Sequence, residues 1–336
     1  MFKQRTMTIL ISPLDWGLGH ATRIIPIIKH LSKKHKIIIA AGGKAYYLLK
    51  NYFPDLEIIK LPPLNFKYSK HRLFFELKIV ASLPKLLFHT IREHFIICST
   101  VKRKNIDLVI SDNCFGMFCS KAKTVFITHQ INIQVPQSKI LEKAVYRLNS
   151  FFIKKFDRLW IPDYEGDFSL AGALSQGNIP AKKYYYIGIK SRFENLQCSP
   201  DQYKYVAIVS GVEPQRTVFE QKLREIFLQT NEKALIISGN PQQYNSVTQK
   251  NLTIVPHLDD MQFCSAVRGA QVIIARSGYS TIMDLYVLGK KAILVPTPGQ
   301  TEQEYLARFL AGKKLFLYVE QKNLDKINPD ILKKML

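Results

Sequence analysis

Residues 272–284 read Val-Ile-Ile-Ala-Arg-Ser-Gly-Tyr-Ser-Thr-Ile-Met-Asp. Four apolar residues, three of them β-branched, stop at Arg276-Ser277-Gly278, and a helical spacing takes over. The run shows no apolar/polar alternation, so a strand here is covered on both faces, as in a parallel sheet flanked by helices. Gly278 lets the backbone come close to a phosphate, and the helix N-terminus that follows favours an anion. Thr281 and Asp284 stand three apart on one helix face. A carboxylate there can accept hydrogen bonds from both hydroxyls of a ribose. Simple helix capping is the plainer alternative for the same residues.

The same strand–turn–helix unit repeats outward in both directions. After residue 272, strands are expected at 292–295 and 316–319, with helices at 280–288 and 302–311. Before it, strands are expected at 205–210, 234–238 and 253–255, with helices at 215–229 and 259–267. A weakly periodic stretch, 188–201, reads as a domain linker. Upstream of it a second series appears, with strands at 8–12, 36–41, 57–61, 107–111, 123–128, 158–161 and 184–187. Its helices are expected at 20–33 and 139–155, and at 72–104 as two helices broken near Pro84. Two such series in 336 residues predict an α/β fold of two doubly wound Rossmann-like domains, 1–190 and 191–336, facing a cleft.

In such sheets ligands gather at the C-terminal ends of the strands, and the polar motifs fall there. Gly17-Leu18-Gly19-His20 joins the first strand to the first helix. It is not the full dinucleotide fingerprint, and Ala40, Ala41, Gly42 and Gly43 stand where an acidic ribose ligand would end strand two, which disfavours a nicotinamide cofactor. His20 at a helix N-terminus is placed as a general base. Asp112, closing the strand 107–111, is placed to orient that imidazole, or else to cap the segment that follows. Thr128-His129-Gln130-Ile131-Asn132 supplies polar groups at another strand end. In the second series, Ser210-Gly211 opens onto a helix and Arg216 is expected to add positive charge for a phosphate. Gln300, Glu302 and Gln303 begin the helix after Pro296-Thr297-Pro298-Gly299 and are expected to read sugar hydroxyls. Asp259-Asp260 reads as a helix cap, with no metal site expected. No two glutamates stand eight apart, so the Glu-x7-Glu pattern of many retaining glycosyltransferases is absent.

Composition sets further limits. The apolar fraction is 47% with 16 Gly and 16 Pro, which excludes a disordered or collagen-like chain. Net charge is +22, and it is uneven: residues 1–190 carry 30 basic and 12 acidic side chains, residues 191–336 carry 18 and 14. Residues 60–104 alone hold ten basic and two acidic residues among Leu73, Phe74, Phe75, Leu77, Ile79, Val80 and Phe88. Cations around apolar residues suit contact with an anionic membrane surface, although the same segment could pack in the core with solvated lysines. No run is long and apolar enough to span a bilayer, and no signal peptide is recognised. Five cysteines without a C-x-x-C pair predict neither a disulfide framework nor a zinc ribbon, and a reducing compartment.

With these motifs together, the chain resembles the two-domain (GT-B) glycosyltransferases of family 28, whose best-known member adds N-acetylglucosamine to a lipid-linked peptidoglycan precursor. His257-Leu258-Asp259-Asp260-Met261 resembles a family segment that holds uracil, which makes Leu258 a donor-site residue. Ser277-Gly278 with Asp284 resembles its Ser-Gly…Glu motif, with the acid one methylene shorter. Gln303 matches the first of two sugar-binding glutamines; Glu304 stands at the second, leaving the sugar as a hexose or N-acetylhexosamine. Arg192 resembles an arginine that contacts the nucleotide. On the other side, Gly17, Gly19, His129 and Asn132 match acceptor-side positions, and His20 with Asp112 resembles the His–Asp pair of inverting transferases. The resemblance implies an inverting, metal-independent transferase without a cofactor. Its partners would be a UDP-sugar and a lipid or lipid-linked acceptor, bound by residues 191–336 and 1–190 in that order, at the cytoplasmic face of a membrane. Two alternatives stay open: a UDP-N-acetylglucosamine epimerase-like isomerase on the same fold, and a nucleic-acid binder, though no nucleic-acid recognition motif accompanies the charge.

Overall fold

The computed structural model describes residues 5–15, 17–63, 73–135, 138–211, 213–239 and 245–326, with backbone only over 73–83 and at 325. They form two compact units; the first ends at Lys190 and the second begins at Ser191.

The first unit runs β1 (Thr8–Pro13), α1 (Gly19–Leu31), β2 (Lys36–Ala41), α2 (Gly43–Tyr52), β3 (Glu57–Lys60), α3 (Leu73–Lys104), β4 (Leu108–Asp112), β5 (Lys123–Ile127), α4 (Lys139–Ile153), β6 (Arg158–Ile161) and β7 (Tyr184–Tyr186). The described strands form one parallel sheet in the order β3-β2-β1-β4-β5-β6-β7. The continuous apolar runs are explained by burial on both faces. Ile9, Ile11, Ile37 and Ile39 pack with Ile24, Ile28 and Leu48 of α1 and α2. Leu10, Ile38 and Val109 point to the other face, with Ile97 and Val101 of α3. Each such side chain stabilises the fold by roughly 1.5–3 kcal/mol.

The second unit runs β8 (Tyr205–Ile208), α5 (Gln215–Leu228), β9 (Ala234–Ile237), β10 (Val247–Gln249), β11 (Leu252–Val255), α6 (Asp260–Gly269), β12 (Val272–Ala275), α7 (Tyr279–Val287), β13 (Ile293–Leu294), α8 (Thr301–Gly312) and β14 (Leu317–Tyr318). Its order is β10-β11-β9-β8-β12-β13-β14, with β10 antiparallel to β11 and the other described pairs parallel. Both units are thus doubly wound, as the sequence predicts. In each, the winding direction reverses between two central strands, β1/β4 and β8/β12, and the crevice at their C-terminal ends is where such sheets bind ligands.

Three elements differ from expectation. Residues 43–52 form a helix where none was expected; Ala45, Leu48 and Leu49 are its buried face. The edge strand β10 is exposed throughout, so it carries no apolar period. Residues 73–104 are one helix rather than two. Proline removes only one hydrogen bond from the ladder, and Pro84 has more than two helical turns on each side to carry the helix past it. Within the basic apolar segment 60–104, residues 64–72 and the side chains of 73–83 lie outside the described residues. No described helix is long and apolar enough to cross a membrane.

Cysteine usage also needs correction. Cys198 and Cys264 form a disulfide across 66 residues, joining the start of the second unit to α6. Neither cysteine sits in a short motif, so spacing gave no warning, and the cysteines no longer argue for a reducing compartment.

A buried acid on α3 yields a stability prediction. Glu93 is buried against Gly116, with His89 Nδ1 3.5 Å from its carboxylate. Burial raises its pKa to about 7, only partly offset by the Gly116 backbone hydrogen bond. The fold therefore prefers the protonated acid. Its contribution is full below pH 4.5 and declines as pH rises through about 7, by up to roughly 3 kcal/mol. Thermal melts of the wild type should fall across this window, and Glu93→Gln should flatten them. An equal slope in the variant would assign the effect to another group.

Candidate active site

At the end of β1 the chain turns through Gly17, whose φ of +88° lies in the left-handed region that glycine tolerates. Asp15 lies just before it, against the N-terminus of α2. A β-carbon on Gly43, itself at φ +44°, would collide with the Asp15 carboxylate. The loop is thereby tied to the positive end of α2. Gly19 begins α1 and His20 follows it.

His20 Nδ1 is 2.9 Å from Oδ1 of Asp112, the last residue of β4. Register explains the meeting: Pro13 pairs with Asp112 across neighbouring parallel strands, so the β1–α1 turn rises directly over that carboxylate. Asp112 is fully buried. Burial by itself would raise its pKa. The Arg23 guanidinium, and then His20, outweigh that and hold it at about 2.

Arg23 was not singled out from the sequence, yet it organises the cluster. It lies one turn beyond His20 on the same face of α1 and is almost fully buried. Its Nε donates to Asp112 Oδ2 at 2.6 Å, and its Nη2 donates to Asp112 Oδ1. Nη1 reaches His129 Nδ1 at 3.1 Å, and Nη2 is 2.9 Å from His20 Nδ1. The only sequence signal was its i, i+3 spacing from His20. Asn132 has a different use from the one expected: its amide donates to the carbonyls of Ala173 and Gln176 and holds that loop.

In the second unit the two turns at the β8/β12 reversal carry the expected motifs. Ser210-Gly211 follows β8, with Gly211 at φ +105°, and α5 begins four residues on. Arg276-Ser277-Gly278 follows β12, and Gly278 is the residue before α7. A β-carbon on Gly278 would meet no atom within 4 Å, so the space beside it is open. Thr281 is partly exposed on the first turn of α7. Asp284, one turn further, accepts a hydrogen bond from Ser191 Oγ at 2.6 Å. Burial raises its pKa to about 6, against the opposing pull of Arg192 and Ser191. Leu258 is half-buried just before α6. Asp259 caps that helix in a reciprocal capping box with Gln262, as the sequence reading expects.

Several polar side chains are held by protein partners instead of standing free. Arg216 was expected to bring charge to the Ser210-Gly211 turn. Its Nε donates to Glu213 at 2.7 Å and its Nη1 to Glu220 at 2.9 Å and to the Ser238 carbonyl at 3.2 Å. Glu220 lies one turn along α5 and Glu213 just before its N-cap, and together they neutralise it. Arg192 pairs with Asp260 at 3.3 Å and packs on the rings of Phe193 and Phe263. Ser277 Oγ donates to the Gln303 carbonyl at 2.8 Å, and Gln303 Oε1 accepts from the Thr297 N–H at 2.9 Å. Ser277 and Gln303 thus bind α8 and the 296–300 loop to the start of α7. Gln300 immediately precedes α8 and Glu302 lies in its first turn.

Comparison with known proteins bears on the fold and the class of enzyme. Residues 205–336 match the model of the glycosyltransferase family 28 C-terminal domain. The chain is a glycosyltransferase whose second unit resembles the family 28 C-terminal domain. The UDP-N-acetylglucosamine–N-acetylmuramyl-(pentapeptide) pyrophosphoryl-undecaprenol N-acetylglucosamine transferase of Sulfurihydrogenibium sp. is 26% identical over 332 residues, 95% of this chain and 86% of that one. An uncharacterized glycosyltransferase of Methanosarcina acetivorans is 23% identical, covering 89% and 82%. Among solved structures, the glycotransferase of kitacinnamycin has a TM-score of 0.65 at 12% identity, covering 98% and 89% of the two chains. MurG of Acinetobacter baumannii has 0.54 at 14%, covering 98% and 90%. These structures share the two-domain fold.

Arg276 gives this transferase a second buried cation, one residue before Ser277. It is fully buried, donating to the carbonyls of Val295, Pro296 and Gln215 and to Gln321 Oε1 at 2.6–3.2 Å, with its guanidinium 3.9 Å from the Phe219 ring centre. Burial pulls its pKa down to about 9, still well above neutrality. Arg276→Met keeps the bulk but strands four acceptors. It should destabilise the second unit by at least about 3 kcal/mol, read as a lowered thermal midpoint for that unit. A midpoint within about 1 °C of wild type would show that water replaces the guanidinium without cost.

Proposed function

We propose that this glycosyltransferase moves a hexose or N-acetylhexosamine from a UDP-sugar to a lipid or lipid-linked acceptor, with inversion and without a metal ion, on the cytoplasmic face of a membrane. The observation that carries the reading is the His20–Asp112 contact at 2.9 Å, at the end of the helix that the first glycine turn opens. A carboxylate on Nδ1 leaves Nε2 to take a proton. In the proposed reaction Nε2 removes the acceptor hydroxyl proton, and the acceptor oxygen attacks C1 of the sugar from the face opposite the leaving group. The bond from C1 to the UDP oxygen breaks, and its electron pair leaves with UDP. A single displacement of this kind inverts C1.

The donor is assigned to the second unit. The turns after β8 and β12 end at the N-termini of α5 and α7, where backbone N–H groups favour the diphosphate as it gains charge. Asp284 is proposed to take the ribose hydroxyls, Leu258 the base, and Thr281, Gln300 and Glu302 the remaining polar contacts. Because Arg192, Arg216 and Gln303 have protein partners, their proposed part is to shape these turns. The relatives named for transfer from UDP-N-acetylglucosamine to an undecaprenol-linked acceptor support the choice of substrates.

The membrane surface is proposed from apolar side chains left in water. On α3, Phe88 and Phe95 are 67% and 70% exposed, with Leu87 and Ile91 on the same side. On α4, Ile140 and Phe151 are 84% and 55% exposed. Phe118 lies between the two helices, stacked on His94 of α3, with Lys155 over its ring and that of Phe151. Apolar residues edged by cations suit an anionic bilayer surface.

Three measurements test the reading. His20→Ala should lose roughly 10²- to 10⁴-fold in turnover while UDP affinity stays within about twofold; unchanged turnover removes His20 as the base. UDP affinity should tighten as pH rises through about 6, where Asp284 ionises, and Asp284→Asn should abolish that dependence; a dependence that survives assigns it elsewhere. Vesicle flotation should show binding to anionic but not neutral lipid, weakened by Phe88→Ser with Phe95→Ser. UDP-sugar interconversion in the absence of any acceptor would favour an isomerase instead.

A further inference from the structure

We propose that Arg23 is a positioning residue that assigns opposite tautomers to two histidines, keeping His20 basic at Nε2 and making His129 an N–H donor at Nε2. The inference rests on the reading of His20 as the base and extends it to a group outside that dyad.

The argument begins with what a guanidinium can do: it carries five N–H donors and no acceptor. Its Nη1 lies 3.1 Å from His129 Nδ1. An N–H on that ring nitrogen would set donor against donor, so Nδ1 must hold its lone pair. His129 is then a neutral imidazole with its proton on Nε2. Which nitrogen bears the proton is settled by the bond that the other one makes.

At His20 the same cation leads to the opposite result. Nδ1 is 2.9 Å from both Asp112 Oδ1 and Arg23 Nη2. One nitrogen cannot donate to the carboxylate and accept from the guanidinium in the same tautomer. The carboxylate is the stronger acceptor, and charge-assisted bonds outweigh neutral ones. Arg23 Nη2 already donates to Asp112 Oδ1, and Nε to Oδ2 at 2.6 Å. Arg23 is therefore satisfied on Asp112, and His20 Nδ1–H donates to that same carboxylate. Nε2 of His20 is left with its lone pair. The outcome needs the fork of a guanidinium, because one edge grips Asp112 while Nη1 points at His129. A lysine supplies the charge at a single point.

Burial makes the assignment firm. Arg23, Asp112 and His129 are all nearly inaccessible to water, so solvent cannot readily relieve a wrong tautomer. Among the described residues, the charged and titratable groups meeting here include His20 and Arg23 from α1, Asp112 from β4 and His129 from the segment after β5, with the buried Cys114 thiol just beyond Asp112, where its pKa is raised chiefly by burial and also by Glu93, Asp112 and Asp15.

The test is ¹⁵N imidazole NMR on the full-length chain at pH 7.5, with His20→Ala and His129→Ala spectra used to assign the two rings. The wild type should show His20 protonated at Nδ1 and His129 at Nε2. In Arg23→Gln and Arg23→Lys, His129 should become a tautomer mixture, and kcat should fall at least about tenfold with the donor KM within about twofold. Arg23→Lys should not rescue either property. A wild-type His129 protonated at Nδ1, or a His129 tautomer unchanged in a folded Arg23→Lys protein, overturns the proposal. Should Arg23→Gln not fold, the wild-type spectrum still decides. Full turnover in His20→Ala with the predicted tautomers present would sink the base reading and leave the tautomer assignment standing.

Discussion

A fully buried carboxylate at the end of β4 constrains the whole first unit. An isolated charge in such a place costs several kcal/mol, and it persists only with close partners of opposite charge. Asp112 obtains them from α1, through Arg23 on both oxygens and His20 on one. For this, α1 must begin immediately over the β1–β4 junction and run with one face toward it. That requirement explains the glycine turn at residue 17, the anchoring of Asp15 on Gly43, and the parallel register that sets Pro13 beside Asp112. Removing the carboxylate would leave Arg23 buried without its main counter-charge, so the pair is a condition of the fold as much as of the proposed chemistry.

The second unit solves a related problem with neutral partners. Arg276 stands at the matching position, just beyond a central strand at the winding reversal. It is held by backbone carbonyls and one glutamine side chain. It ties the turn after β12 to the start of α5 and to the loop after β13. Ser277 and Gln303 extend the same bracing to α8. The turns proposed to cradle the diphosphate therefore rest on rigid polar contacts below them, leaving the open side at Gly278 to the ligand. Preorganised donors of this kind stabilise developing charge without rearranging during the reaction.

The strands were legible because a parallel strand buried on both faces leaves an unmixed apolar run between turn residues. The positions of His20, Asp112, Ser277 and Gly278 at turns beyond strand ends followed from the strand–turn–helix pattern, and that of Asp284 from its helical spacing to Thr281. What stayed hidden had local reasons. The helix at 43–52 opens on two glycines, which favour no helix start by themselves, and Asp15, distant in sequence, lies against that start. Arg23 looks like one polar residue on an apolar helix, and its partners come from β4 and the segment after β5. Arg216 reads as a free cation until Glu220, one turn along α5, and Glu213, just before its N-cap, are placed beside it. Cys198 and Cys264 meet only once the start of the second unit packs on α6.

The uneven charge of the two halves gains a physical explanation from these contacts. The second unit is nearly neutral and is proposed to hold a diphosphate, which invites the view that its arginines do the binding. Three of them do not stand free: Arg192 pairs with Asp260, Arg216 with Glu213 and Glu220, and Arg276 with carbonyls. Helix N-termini can attract the anion at these turns, and their field acts within about one turn of the helix end. A short-range field suits a ligand that must bind and then leave as UDP. The first unit holds the surplus of cations, and Lys155 lies over the rings of Phe118 and the exposed Phe151 of α4. Charge spread over a surface acts across roughly a Debye length, about 8–10 Å at physiological salt. That range suits attraction to an extended anionic surface.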